Sequence, residues 1–573
     1  MLSQINKKKI KYKLNKIYNF LPKNEIDLCA KEISLIINNF NKNNKKKKWL
    51  VSEKTTMVIC YGDSVYSKNQ KNLTTFQNFF NKKLTKFIDT IHFLPFYPSS
   101  SDSGFAVKDH YKIDNKLGNW SDIKNFSKRK QIMSDMVINH ASARGLWFKN
   151  FLKEKKPGKD YFLLVNSKFN ILKVVRPRDH KLLKEINIFK KKEYLWRTFS
   201  DDQIDLNFKN PKVLIRFIKI MINLIKHGVT IFRLDAIAYL WKESGTKCIN
   251  LKQTHEIVKI LRIVSNSLNI KTLIVTETNL PEKENLSYLG NNDESNWIYN
   301  FTLPPLLIHA LLFENGYYLN SWSKKLPQTK IGNSYLNFIA SHDGIGMRPL
   351  EGILNKKSIK SLLTRLKKNG SKFSYRRINN RKKKVYESNI TVFDALKVSD
   401  KDKKGLHNYN RYIAAHTIMF SFEGVPGIYF NSLFGKSNDE AKYIITGNNR
   451  DINRYRWNEL NILKRMKNKN TKEHYIFETF KHLLNIRKKQ KAFHPNALRT
   501  NINLGNNFFC IKRVSLDKKQ TILCLTNLTS NLQNTKINKK FSKFKNLIDP
   551  HTKSQNLNSI NMKPFETIWL SNT

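Results

Sequence analysis

The sequence predicts a (β/α)8 TIM barrel of the α/β class, with a subdomain inserted after the third strand and a small C-terminal β domain. Three observations predict it. Eight short apolar runs recur between residues 55 and 430, with amphipathic stretches between them. Several of these runs end in acids or histidines. From about residue 500 onward the pattern changes to short apolar strands joined by polar turns.

Taken in order, residues 1–50 read as a polar helical extension, in which NEIDLCAKEISLIINNF (24–40) spaces its apolar residues along one helical face. Residues 41–48 are a charged connector. The catalytic barrel is expected over 51–140 and 206–490. Its strands are TTMVICY (55–61), IDTIHFLPFYP (88–98), QIMSDMVINH (131–140), GVTIFRLDA (228–236), TLIVTE (272–277), NWIYNF (296–301), LNFIASHD (336–343) and GVPGIYF (424–430). Each is short, β-branched or aromatic, and nearly continuous in apolar character, as strands covered on both faces are. PKVLIRFIKIMINLIKHG (211–228) and QTHEIVKILRIVSNSL (253–268) supply helices between them. The interval 141–205, irregular and charged, is too long for one crossover and predicts the inserted subdomain. The interval 344–412 is a candidate active-site loop region. Residues 491–573 predict a β-sandwich-like domain, with strands in NNFFCIKRVS, QTILCLTNLT and FETIWLSN.

Composition narrows the class. With 40% hydrophobic and 12% aromatic residues, 573 residues can bury a large core, and disorder is excluded. No run approaches the roughly 18 apolar residues of a membrane span, so no membrane partner is expected. The basic N-terminus lacks an apolar h-region and reads as no signal peptide. Cys29, Cys60, Cys248, Cys510 and Cys524 are scattered without metal-ligand spacing; no metal site is expected, and a reduced, cytoplasmic location fits. The net charge of +60 raises the question of nucleic acid. Its lysine runs at 7–9, 45–48, 190–192 and 382–384 are spread over the whole chain, and no nucleic-acid-binding module is present. They read as solvated surface, and no nucleic-acid partner is expected. The positive field can still attract anionic substrates such as phosphate.

In such barrels, chemistry sits at the C-terminal ends of strands. Strand four ends at Arg233-Leu-Asp235, strand five at Thr276-Glu277, strand seven at Ser341-His342-Asp343 and strand three at Asn139-His140. Three carboxylates and two histidines therefore converge on one mouth. Retaining glycosyl transfer needs two carboxyl groups roughly 5 Å apart, one attacking the anomeric carbon and one protonating the leaving oxygen. Asp235 and Glu277, on neighbouring strands, suit those roles. Glu277 would need a pKa raised by burial and nearby negative charge. Arg233, two residues before Asp235, projects on the same side of its strand and would keep that carboxylate ionised.

DMVINH (135–140), FRLDAIAY (232–239), VTETN (275–279) and FIASHD (338–343) resemble the four motifs of the α-amylase superfamily, family thirteen of the glycoside hydrolases. The resemblance implies Asp235 as nucleophile, Glu277 as acid/base and Asp343 as the third carboxylate, which binds ring hydroxyls. It implies glucose-subsite contacts for His140, Arg233 and His342. SSSDSGFAVKDHYKID (99–114), LGNWSDI (117–123), VRPRDH (175–180), TFSDDQIDLNFKNP (198–211), FTLPPLLIHALL (301–312) and SHDGIGMRPLEG (341–352) are similar to the sucrose phosphorylase branch. LDAIAYLWKESGTKC and YESNITVFDAL resemble the glucosylglycerate phosphorylases within it. On that resemblance, Phe105 stacks on the apolar face of glucose, and Asp102 pairs with Arg454 to close a one-sugar pocket. Arg176 and Arg178 in the inserted subdomain are candidates for phosphate or acceptor binding. The implied reaction moves glucose from an α-glucoside to inorganic phosphate by double displacement, with no cofactor. The alternatives are an α-glucoside hydrolase or transglucosylase with the same carboxylates, and more remotely a non-catalytic basic protein that binds nucleic acid.

Overall fold

The computed structural model describes residues 2–188, 191–378, 383–549 and 559–573; Lys190 and Lys382 of the lysine runs lie outside the described residues. Eight parallel strands close into a barrel: β1 (Met57–Cys60), β2 (Thr90–Phe93), β3 (Gln131–Val137), β4 (Val229–Asp235), β5 (Leu273–Thr276), β6 (Trp297–Tyr299), β7 (Ser334–Asn337) and β8 (Val425–Tyr429). Each strand pairs with the next in sequence, and β8 closes on β1 with Met57 opposite Gly427 and Ile59 opposite Tyr429. Almost every strand residue is buried, because helices cover the outside and side chains fill the inside. The helix Pro211–Lys226 shows how sequence sets a boundary: Asn210 caps it by accepting from the Lys212 N–H, and proline stands at its start. Its apolar stripe, including Leu214, Phe217, Ile218 and Met221, is buried.

The N-terminal segment forms two helices, α1 (Gln4–Ile17) and α2 (Lys23–Lys42). They pack on the helices Lys252–Ser267 and Pro211–Lys226 respectively. Asn41 of α2 finishes the first of these: its amide donates to the Ser267 carbonyl at 2.8 Å, and its oxygen accepts from Asn269 N–H at 2.7 Å. These contacts satisfy polar groups that a helix end leaves open.

The interval expected to be irregular is ordered instead. It holds the helix Leu146–Leu152 and an antiparallel sheet of Leu164–Val165, Lys191–Trp196 and Leu183–Ile188. The hairpin reads as loop because its strands, LKEINI and KKEYLW, keep their charged side chains largely in solvent. The insertion also starts one residue early. β3 ends at Val137, and His140–Ser142 forms a separate strand, antiparallel to Gln203–Asp205. His140 is thus not the end of the third barrel strand; it begins the inserted segment.

In the C-terminal sheet, Leu498–Asn501, Phe508–Val514, Thr521–Asn527, Thr567–Ser571 and Lys545–Asn546 lie in that spatial order, all antiparallel. The two-residue period divides its faces. Phe508, Cys510, Leu523, Leu525 and Leu570 pack with Ile560 and Met562 of a second, two-stranded ladder. Phe509, Ile511, Ile522, Cys524 and Trp569 face the other way and join the barrel core.

A buried ion pair fastens the insertion to the barrel. Lys242 Nζ lies 2.6 Å from Asp205 Oδ2, with side chains 2% and 0% exposed, and it donates to Asn139 Oδ1 at 3.0 Å. Asp205 also accepts from the Thr198 N–H at 2.8 Å. Lys242→Met leaves Asp205 buried and uncompensated and should cost about 3–5 kcal/mol in urea unfolding. The double variant Lys242→Met/Asp205→Leu should lose less than the sum of the two single variants.

Candidate active site

Strand ends and loops at the C-terminal mouth of the barrel converge on one pocket. Asp102, Phe105, His140, Arg178, Arg233, Asp235, Glu277, His342 and Asp343 all line it. Asp235 is the last residue of β4 and Glu277 follows β5 directly. Asp343 does not end a strand: β7 stops at Asn337, and the carboxylate stands six residues further on, in a loop. The apolar run there continues past the strand because Phe338 and Ile339 are buried under the mouth.

Arg233 organises the first half of the site. Its Nη1 donates to Asp235 Oδ1 at 2.8 Å and also meets Asp135, while Nη2 lies 3.8 Å from Glu277 Oε1. Asp135 accepts in turn from His92 Nε2 at 2.8 Å. The guanidinium sits over the rings of Phe105 and Tyr299, at 5.7 and 5.5 Å. Glu277 accepts from the Ala236 N–H at 3.1 Å. That N–H is aimed by a left-handed backbone at Ala236, φ 52°, a conformation that costs a non-glycine residue energy and concentrates at functional sites.

Burial raises the Asp235 carboxyl well above the ordinary range; Arg233 pulls it down, while Glu277, Asp135 and Asp343 push it up. Burial likewise raises Glu277, against Arg233 and with Asp343. Two carboxyls in one dry site cannot both ionise freely. Arg233 touches Asp235 directly and stands a full ångström further from Glu277. Arg233 thus holds Asp235 at hydrogen-bond distance and Glu277 only at the edge of ion-pair range.

The second half is cation-rich. Asp343 Oδ1 lies 2.9 Å from Arg450 Nη1, 3.3 Å from Arg454 Nη2 and 3.3 Å from His342 Nε2. Burial opposes ionisation of Asp343, but Arg450 and Arg454 hold it well below the carboxylate range. Asp102 is held low in the same way by Arg450 and Arg454 against burial. Asp102 Oδ1 lies 3.2 Å from Arg454 Nη2, and Arg454 Nε donates to the His342 carbonyl at 3.1 Å. Arg454 stands behind the wall and does not line the pocket itself. Asp102 and Ser103 are both left-handed, φ 50° and 48°, and a Cβ on Gly104 would meet the Pro95 carbonyl at 2.6 Å. This strained turn presents Asp102 to Arg454 and places Phe105 flat against His342, ring centroids 5.0 Å apart and planes 5° apart. Burial pushes His342 down to about 3 and His140 to about 4, so both are neutral. His140 Nε2 donates to the Phe105 carbonyl at 3.1 Å.

The two candidate arginines of the insertion separate. Arg178 lines the pocket, its guanidinium 5.2 Å from the Tyr386 ring centroid and 5.8 Å from that of Phe199. Arg176 does not reach it. Pro177 intervenes, and Arg176 lies half-buried in the field of Arg377 and Asp179. Sequence reasoning missed Arg450 and Glu387. Arg450 pairs bidentately with Glu387, its Nη2 2.9 Å from Oε1 and its Nε 3.3 Å from Oε2. Glu387 stands inside YESNITVFDAL, and Arg450 stands four residues before Arg454 in NNRDINRYRW. Asp135 was likewise quoted without a role; its position two residues inside a strand gives no hint that it faces Arg233.

Fold and site together define a class. Residues 82–345 match the family model for the α-amylase catalytic domain. The chain is 35% identical over 532 residues to the glucosylglycerate phosphorylase of Escherichia coli (strain K12), a match covering 92% of this chain and 93% of that one. It is 27% identical over 432 residues to the sucrose phosphorylase of Bifidobacterium adolescentis, covering 72% and 81%. The crystal structure of sucrose 6F-phosphate phosphorylase from Thermoanaerobacter thermosaccharolyticum shares the fold, with a TM-score of 0.72 at 23% identity over 84% of this chain and 95% of that one. The chain belongs to the α-amylase family, in the group that holds the glucosylglycerate and sucrose phosphorylases.

Arg450→Met removes the strongest cationic hold on Asp343 and leaves Arg454 in place. The pKa of Asp343 then rises, so the carboxylate protonates at higher pH. Activity at the acid end of the pH–rate profile should fall more steeply than in the unsubstituted enzyme, read from kcat/KM between pH 3 and 8.

Proposed function

We propose that this enzyme is a retaining α-glucosyl phosphorylase that converts glucosylglycerate and inorganic phosphate into glycerate and α-glucose 1-phosphate. The observation that carries the reading is the placement of Asp235 and Glu277 around one arginine, Arg233 lying 2.8 Å from the first and 3.8 Å from the second. Glycerate as leaving group is supported by identity: 35–36% with three glucosylglycerate phosphorylases against 27–28% with sucrose phosphorylases. Arg178, in the pocket with a long 3.9 Å contact to Glu387, suits a carboxylate or phosphate partner.

In the first step Asp235 Oδ attacks the anomeric carbon. The bond from that carbon to the leaving oxygen breaks, and Glu277 gives that oxygen its proton. A glucosyl ester of β configuration forms on Asp235. Hydrogen phosphate then attacks with an ionised oxygen and the ester bond breaks, releasing Asp235 as carboxylate. The phosphate's remaining acidic proton returns to Glu277, so the cycle closes without a net proton from solvent. Two inversions give net retention. In this reading Asp343 binds the ring hydroxyls, Phe105 packs on the ring, and Asp102 with Arg454 closes the far side. No helix among the described residues is long and apolar enough to cross a membrane. The five cysteines are all free, which suits a reducing cytoplasm.

Asp235→Asn should lower phosphorolysis by at least about 10³-fold while the thermal unfolding curve is kept. Glu277→Gln should lose about 10²–10⁴-fold on glucosylglycerate, yet much less on α-glucosyl fluoride, whose leaving group needs no proton. Product analysis tests the phosphorylase reading itself. Glucose 1-phosphate should appear only with phosphate present; equal consumption without phosphate, yielding free glucose, makes the enzyme a hydrolase.

A further inference from the structure

The end of the barrel opposite the active site holds a second cavity, of about 710 Å³, within the range of small-molecule sites. It opens beneath the N-terminal starts of β5, β6 and β7, where Thr272, Asn296 and Asn333 precede the strands. In such barrels that face ordinarily serves stability. Here it carries a charge pattern that stability does not require. Lys46, Lys47 and Lys48 enter from the connector after α2, Arg262 from the helix Lys252–Ser267, and Lys271 from the turn before β5. No aspartate or glutamate lines the cavity.

Among the described residues, none of these five cations forms an ion pair, and none of the four lysine ammonium groups donates to a protein acceptor. Arg262 is the most telling. It is only 8% exposed, its Nε has no partner, and its one hydrogen bond, to the Glu294 carbonyl, is long at 3.4 Å. Burial drags it down to about 10, a cost that distant Asp293 offsets only in part. A guanidinium buried without a counter-charge is expensive unless something pairs with it. The bland explanation, cations attending the C-terminal end of the helix Lys252–Ser267, does not fit, because Asn41 already serves that end. The rim is apolar: Leu50, Ile331 and Leu516 are 81%, 76% and 51% exposed.

We infer that this cavity binds a phosphorylated small molecule, its phosphates on Arg262, Lys271 and Lys46 to Lys48 and its uncharged part against Leu50, Ile331 and Leu516. A flat anionic membrane is the weaker occupant, since Arg262 is recessed beyond its reach. The site lies at the other end of the barrel from the proposed phosphate-using pocket and does not rest on that reading.

Isothermal titration of the full chain at 0.15 M salt tests it, with ATP and inorganic pyrophosphate as probes. Saturable binding of one ATP per chain is expected, with pyrophosphate competing. Lys48→Gln/Lys271→Gln should weaken ATP binding at least tenfold. Lys82→Gln/Lys83→Gln, which removes the same charge from a distant helix, should leave it within twofold, as should Arg178→Gln in the active site. Equal weakening by both lysine pairs would mean general attraction to a basic chain and overturns the proposal. Loss caused by Arg178→Gln places the ligand in the active site and overturns it too. Absence of saturable binding, with or without sedimentation on phosphatidylserine vesicles, does the same.

Discussion

Everything at the mouth of this barrel depends on one buried guanidinium. Arg233 faces Asp135, Asp235 and Glu277 in a space nearly closed to water. One positive charge cannot sustain three negative ones at low dielectric, and His92, neutral against Asp135, adds none. The cluster must therefore hold a proton, and in the proposed reading it rests on Glu277, the carboxyl that Arg233 touches less closely than Asp235.

The other half of the pocket is close to balanced. Asp343, Asp102 and Glu387 share Arg450 and Arg454, with Arg178 at the edge. Arg450 and Arg454 hold Asp343 and Asp102 below the ordinary carboxylate range and fix them in place. In the proposed reading Asp343 grips ring hydroxyls, which suits fixed orientation and full charge, whereas Glu277 trades a proton. The strained backbone follows the same division. Left-handed Asp102 and Ser103 belong to the rigid wall; left-handed Ala236 aims the N–H that holds Glu277. The packing of Phe105 on His342 and the Lys242–Asp205 pair beneath the insertion over-determine these conformations.

The barrel was legible in the sequence because its strands are buried on both faces, so pattern and burial coincide over each of the eight runs. Asp235 and Glu277 were legible because each terminates such a run. Legibility fails where side chains leave the sheet. Asp343 was placed at a strand end because Phe338 and Ile339 prolong the apolar run into a loop. The inserted hairpin was read as irregular because solvent, not a core, covers LKEINI and KKEYLW. Arg176 and Arg178 look alike in VRPRDH, and only the course of the chain through Pro177 decides which one reaches the pocket. Arg450 has no local pattern to reveal it, since its partners Asp102, Asp343 and Glu387 come from three distant parts of the chain, the last from a strand.

The geometry also limits how the proposed reaction can proceed. In the proposed reading the Asp102–Arg454 pair and the stacked Phe105 and His342 close the far side of the pocket, which leaves the sugar one entrance. The leaving alcohol and the incoming phosphate must then use the same space, next to Arg178 and Tyr386. Phosphate cannot attack until the alcohol has gone, and the glucosyl ester on Asp235 must survive the interval. Arg178, whose one ion pair among the described residues is the long contact to Glu387, would shorten that interval for anions and do nothing for water. Selection of phosphate over water is on this view a matter of electrostatic arrival at Arg178 and Arg450, assisted by the +60 field of the whole chain, and needs no separate device to exclude solvent.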